Sequence, residues 1–353
     1  MDFSKAFDKV GHQRLLYKLA QYGVGGGANA WIQGFLRERS QTVVVEGESS
    51  DSIRVESGVP QGSVLGPCLF LYYINDLPEG LRSKVRLFAD DTIIYLTITG
   101  DDDTARLQHD LDLLAKWELH WQMEFHPDKC QTLSITRRKK PTLHKYTLHG
   151  KTLENVTSAK YLGVTITSDL KWDSHISKTV SKANSTLGFL KRNLKVSSPR
   201  VKQQAYFSYV RPTLEYASSV WDPYTVKAQH SIEMVQRRAA RFALGRYHNI
   251  SSVSGMLSTL KWHSLLVRRR QARLCMFYKI VHGLVATPIH QFAKPVTRHT
   301  RHTNSLAFQI PCSRCDYHKF AFFPRTIRDW NGLPTSLVEL PTLNSFRAGL
   351  ASA

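Results

Sequence analysis

Two adjacent aspartates, Asp90 and Asp91, lie in the tetrad Phe88-Ala89-Asp90-Asp91 between two short apolar runs, RLFAD and DTIIYL. Apolar runs meeting at a polar pair predict a tight β-hairpin, which would hold two carboxylates at the end of a rigid ribbon. Taken alone the pair is also ordinary turn chemistry. A second candidate is SGVPQGSVLGP, Ser57–Pro67, where three glycines and two prolines surround Gln61 and Ser63 just before an apolar stretch. Glycines at the opening of a helix let backbone approach a phosphate or a base pair closely, although a plain strand-to-helix connection looks the same. The third segment is MDFSKAFDKV, Met1–Val10, in which Asp2 precedes Phe7.

These segments need elements to hold them. The run HQRLLYKLAQY, from His12 to Tyr22, reads as a helix ended by Gly23 and the triplet Gly25-Gly26-Gly27, with a second helix over Ala28–Arg37. QTVVVEG and DSIRVESG, joined by a Gly/Ser/Asp-rich turn, predict a β-hairpin. Ser63–Asn75 has helical length, and Thr104–Met123 places Leu107, Leu111, Leu114 and Trp117 on one helical face. TLSITR, YTLHG and YLGVTI add short strands, so an α+β unit is expected to end near Thr167. Beyond it helices with basic faces are expected over Ser174–Leu194, Pro199–Tyr216, Ala228–Leu244 and Leu265–His282, and residues 286–312 read as loop.

A chain of 353 residues with 42% hydrophobic and 10% aromatic residues belongs with globular proteins of roughly two domains, not with disordered ones. No apolar run approaches the roughly 20 residues that span a bilayer, and charges run through the first turn of sequence where a signal peptide would lie. A nuclear or cytoplasmic chain with no membrane partner is therefore expected, its five cysteines reduced. The net charge of +20 is unevenly spread. Residues 1–130 hold 13 Lys and Arg against 19 Asp and Glu, and the remainder holds 35 against 9. Cations would offset the acidic front; a polyanion is the natural partner for the basic back.

Taken together and in this order, the three segments resemble motifs A, B and C of the reverse transcriptase palm in non-LTR (LINE-type) retrotransposons, nearest to the Jockey-like clades. FHPDKCQTL resembles motif D, and KYLGVTI resembles the primer-grip hairpin of the same polymerases. The segments WDSHI…LGFLKRNL, YVRPTLEYASSVWDPY and FFPRTIRDWNGLP resemble their thumb and C-terminal regions, so the likeness covers nearly the whole chain. The fold implied is α+β: an incomplete right-hand polymerase palm over 1–167, a helical thumb-like region over 168–250, and a basic C-terminal region over 251–353.

The activity implied is RNA-directed DNA polymerisation, with an RNA template, a DNA primer and deoxynucleoside triphosphates as partners and two Mg²⁺ ions as cofactors. The resemblance places Asp2, Asp90 and Asp91 as metal ligands and Phe7 beneath the incoming sugar, where its ring would clash with a 2′-hydroxyl. It sets Gln61 and Gly62 along the template–nucleotide pair, and Tyr161, Leu162 and Gly163 at the primer end. Lys129 approaches the pyrophosphate as a cation and proton donor, or else is a solvated loop lysine. Lys191, Arg192, Arg237 and Arg238 would follow a nucleic-acid backbone, as would the Arg268-Arg269-Arg270 cluster.

The sequence departs from the pattern at three places. Only Met1 precedes Asp2, where the family has an apolar strand, and neither fingers nor endonuclease is present in these residues. The expectation is an N-terminally truncated polymerase with weak or no turnover alone; the rival reading is an inactive nucleic-acid-binding remnant. His126 stands where the family usually shows Asn. His299, His302, Cys312 and Cys315 have spacing that could bind Zn²⁺, but basic loop residues are the stronger reading.

Overall fold

The computed structural model describes residues 1–136, 138, 144–248, 251–297 and 304–352. It divides into two compact units, Met1–Gly163 and Val164–Ala353. Among the described residues no helix is long and apolar enough to cross a membrane.

The first unit mixes helices and strands. Its helices are α1 (His12–Gln21), α2 (Gly26–Leu36), α3 (Leu65–Ile74) and α4 (Asp101–Trp121). The expected ends of α1 hold: Tyr22 closes it and Gly23 follows at φ 85°, a conformation that costs glycine little. α2 starts inside the glycine triplet, two residues earlier than propensity suggests. Asn29 explains the gain, because its amide donates to the carbonyls of Leu16 and Val24 and ties α2 to α1. The hairpin expected around QTVVVEG forms in two tiers, with Ser40–Gln41 pairing Ile53–Arg54 and Val44–Val45 pairing Glu48–Ser49. Lys84–Phe88 and Asp91–Tyr95 form the antiparallel ribbon, in register from Lys84↔Tyr95 to Phe88↔Asp91. Gln131–Leu133 pairs in parallel with Glu154–Val156.

One polar side chain ties three helices together. Lys18 sits on the inward face of α1 among Leu15, Leu16 and Leu19, and it is buried. Its ammonium lies 3.6 Å from the ring centre of Trp121, with Tyr73 and Trp117 at 5.0 and 5.1 Å. It donates to the Tyr73 carbonyl and to Asp76 Oδ1, which also accepts from Trp117 Nε1 at 3.1 Å. Aromatic faces and one carboxylate replace the water this cation has lost. Burial nevertheless outweighs them and pulls the Lys18 pKa down to about 8, against the raising effect of Asp76.

The second unit is mainly helical. Asp173–Asn193 and Val226–Leu244 pack together, and Leu265–Val281 contacts both the second of these and the C-terminal helices Phe322–Asn331 and Leu343–Ser352. The single helix expected over Pro199–Tyr216 is instead Pro199–Ala205, a π turn at Tyr206–Val210, and Arg211–Glu215. Pro212 supplies the reason: it lacks an N–H and its ring would strike the carbonyl one turn back, so the chain widens ahead of it.

Each arginine of the Arg268-Arg269-Arg270 cluster has a carboxylate partner and Arg269 is closed off from solvent, which corrects the backbone-following expectation for Arg269. Arg268 pairs with Glu215, Arg270 lies 3.5 Å from Asp329, and Arg269 is fully buried with its Nε 2.8 Å from Asp222 Oδ1. Arg273 and Arg325 close on the same Asp222 carboxylate at 2.9 and 3.2 Å. The first unit holds 20 Lys and Arg and 20 Asp and Glu, so the whole net charge of +20 belongs to the second.

Lys18 makes a testable pH prediction. Its folded pKa lies below that of the unfolded chain, so between about 8 and 10 the unfolded state binds more protons. Stability of the first unit should therefore rise with pH across that window, as read from urea midpoints. Lys18→Met should flatten the rise; an unchanged slope in the variant would assign it to other groups.

Candidate active site

Asp2 is positioned by backbone. On one side the Met1 amino group donates to the Thr92 carbonyl at 2.7 Å, and Thr92 N–H donates to the Met1 carbonyl at 3.2 Å. On the other side His126 N–H donates to the Asp2 carbonyl at 2.9 Å, and Ser4 N–H to the Glu124 carbonyl at 2.7 Å. Phe3 bridges Phe125 in antiparallel fashion with the two rings stacked 4.1 Å apart, and both are buried. A short ribbon, Met1–Ser4, is thus held between the Asp91–Tyr95 strand and the segment that resembles motif D. Backbone pairing along both of these edges fixes Asp2, where the sequence suggested a loose carboxylate.

Ala89 and Asp90 form the tip of the Phe88–Asp91 hairpin, and Ala89 takes φ 50°, uncommon for a residue with a Cβ. Asp91 opens the returning strand. Its carboxyl is pushed above the ordinary range, first by burial and then by the carboxylates of Asp90 and Asp2. The three aspartates therefore share one field. Lys129, on the short turn Pro127–Lys129, brings its ammonium to 3.4 Å from Asp2 Oδ2, a partner the sequence did not suggest. Hard oxygen donors of this kind suit a divalent cation. They do not form a closed cage, since among the described residues no trio of His, Cys, Asp or Glu is spaced to hold a metal.

The glycine-rich segment docks on the same stretch of chain. Gly58 N–H donates to the Val10 carbonyl and Val59 N–H to the Phe7 carbonyl, both at 2.8 Å. Ser57 Oγ donates to the Asp8 carbonyl, and Gln61 Nε2 to Asp8 Oδ1 at 3.0 Å. The approach is so close that a Cβ on Gly58 would lie 2.8 Å from Asp8 Cα, and φ there is 90°. At Gly66 a Cβ would meet the Pro60 carbonyl at 2.2 Å. Gly62, at φ 83°, faces open space. Phe7 stacks on Phe70 of α3 at 4.5 Å, so its ring is braced from one side.

Tyr161 ends the strand Ser158–Tyr161, and its hydroxyl is pushed up by burial and by the charge of Asp91, which places it in the same field. Leu162 and Gly163 follow at φ 44° and 79°. In the second unit Lys191 lies 5.9 Å from the ring centre of Tyr247, and its pKa is lowered by burial and by Arg238. Arg238 donates to Asn184 Oδ1 at 3.1 Å; Arg192 is exposed and Arg237 half-buried. His299 and His302 lie outside the described residues, while Cys312 is exposed and Cys315 half-buried.

Two of these features carried no local sign in sequence: the left-handed Ala89 and the Lys129–Asp2 pair. Gly58 was visible only as one of several glycines. Gly58→Ala should destabilise the first unit by about 2–3 kcal/mol through overpacking and strain. Gly62→Ala should cost about 1–2 kcal/mol, since only its backbone angle resists. Urea unfolding of the two variants measures the difference, and equal costs would remove the close approach as its cause.

Comparison with known proteins gives a consistent picture. Residues 1–166 match the family described as reverse transcriptase (RNA-dependent DNA polymerase). The chain is 28% identical over 263 residues to a probable RNA-directed DNA polymerase from transposon BS of Drosophila melanogaster, covering 68% of this chain and 28% of that protein. It is 29% identical over 261 residues to the RNA-directed DNA polymerase from mobile element jockey of Drosophila funebris, covering 68% and 27%. The chain thus spans a little over a quarter of the length of the curated relatives it matches.

Proposed function

We propose that this chain, whose residues 1–166 match the reverse transcriptase family, works in RNA-directed DNA synthesis for a non-LTR retrotransposon. The observation that carries the reading is the backbone pairing of Met1 with Thr92, which sets Asp2 beside the Asp90-Asp91 hairpin. In this reading residues 1–167 are the palm, 168–250 a thumb-like region, and 251–353 a basic C-terminal region. The partners are an RNA template, a DNA primer and deoxynucleoside triphosphates.

Asp2 and Asp90 would hold two Mg²⁺ ions, with Asp91 beside them as the lesser ligand. Held there, such ions would supply the Lewis acidity that activates a primer 3′-hydroxyl and the charge that offsets a departing pyrophosphate. Lys129, whose ammonium lies 3.4 Å from Asp2 Oδ2, would approach the leaving pyrophosphate as a cation and proton donor. Phe7, braced by Phe70, sets a wall beneath the incoming sugar. Gln61 and Gly62 stand at the edge of the docked loop, open to a template–nucleotide pair. Tyr161, Leu162 and Gly163 position the primer end, and Lys191, Arg192, Arg237 and Arg238 meet backbone phosphates.

The test is primer extension on an RNA template with dNTPs and Mg²⁺, comparing the chain with Asp90→Ala/Asp91→Ala. Extension that disappears in the double variant is the expected result. Extension by neither protein, with RNA still bound, would leave a nucleic-acid-binding protein without turnover. Phe7→Ala should raise the use of ribonucleotides relative to deoxynucleotides by at least tenfold in the same assay; an unchanged ratio would remove Phe7 as the sugar wall.

A further inference from the structure

Glu118 lies near the end of α4, and the motif resemblance assigns it no role. Its side chain is only 2% exposed. The carboxylate accepts the Phe125 N–H, and His149 Nε2 stands 2.9 Å from its second oxygen. The Glu118 carbonyl accepts the Met123 N–H at 3.1 Å, just after Gln122 leaves the helix at φ 56°. One residue therefore fixes both ends of the turn that leads from α4 to the edge of the Met1–Ser4 ribbon. From that edge come the Glu124 carbonyl that receives Ser4 N–H and the His126 N–H that reaches the Asp2 carbonyl.

The chemistry of Glu118 is costly for a plain helix cap. Burial pushes its carboxyl up, opposed by the Phe125 N–H and then by His149. His149 is itself held at a tight turn, at φ 52° with Gly150 at φ 73°, between Thr147–Leu148 and Lys151–Thr152. A third element is thus recruited to keep this carboxylate against Phe125. Catalytic groups must be held to within about 0.5 Å, and partners outside the ligand set supply that precision.

We propose that Glu118 is a positioning residue for Asp2, acting through the Phe125 N–H, with His149 fixing the carboxylate. The proposal rests on Asp2 being a metal ligand, and its structural part is read separately. Amide hydrogen exchange at Ser4 and His126 reports the ribbon, and Mn²⁺ binding followed by electron paramagnetic resonance reports the site. Glu118→Ala should speed exchange at both amides at least tenfold and weaken Mn²⁺ binding about tenfold. Glu118→Gln keeps an acceptor for Phe125 N–H and should restore both to within about threefold. Leu114→Ala, a core truncation on the same helix, controls for lost stability and should leave the Mn²⁺ affinity unchanged.

Unchanged exchange in Glu118→Ala, or equal loss of Mn²⁺ in Leu114→Ala, would overturn the proposal. The metal reading fails on a different result: Mn²⁺ binding that is the same in the chain and in Asp2→Asn. Faster exchange in Glu118→Ala would then still support Glu118 as the residue that holds the Asp2 ribbon.

Discussion

The candidate site depends on a backbone ladder four residues long. Met1–Ser4 is hydrogen-bonded to Thr92 on one side and to Glu124 and His126 on the other, with Phe3 stacked on Phe125 beneath. That ladder makes Asp2 a neighbour of Asp91 although 89 positions separate them in sequence. The field that raises Asp91 follows from it, as does the reach of Lys129 to Asp2. The glycine-rich loop adds a second constraint on the same stretch. It locks Phe7–Val10 through backbone bonds that only a glycine at position 58 allows. Asp2 and Phe7 are thereby fixed relative to one another by two different neighbours.

Much of this was legible because it is local. The hairpin at Phe88–Asp91 and the helices α1, α3 and α4 follow from apolar spacing, and spacing is set by the pitch of helix and strand. What was not legible depends on partners far along the chain. Lys18 looks like a solvated lysine until Asp76, Trp117 and Trp121 surround it. Arg269 looks like part of a basic face until Asp222 lies against it. Charge counts record how many ions a segment has, and only packing decides which of them meet water.

The two buried ionic centres are built differently. In the first unit one cation meets one carboxylate and three aromatic faces, so the loss of hydration is shared among weak partners. In the second, Asp222 is surrounded by Arg269, Arg273 and Arg325, and each guanidinium comes from a helix that this carboxylate joins. Removing Asp222 would leave Arg269 and Arg325 buried without their carboxylate, while Arg273 would keep Asp329 at 3.0 Å; breaking even a simple buried pair typically costs about 3–5 kcal/mol. The helices Leu265–Val281 and Phe322–Asn331 are therefore bound electrostatically as well as by the Phe277 and Trp330 core.

The partition of charge between the units has a thermodynamic consequence. The first unit, with equal numbers of acidic and basic residues, carries little self-repulsion for salt to relieve. The second carries 28 Lys and Arg against 8 Asp and Glu and folds against its own field. Small ions screen that field within about 10 Å at 0.1 M. A polyanion does so more strongly because it presents many charges on one strand, and by linkage any ligand that prefers the compact form deepens its stability. Lowering the ionic strength should thus loosen the second unit, and raising it tighten that unit, with a smaller effect on the first.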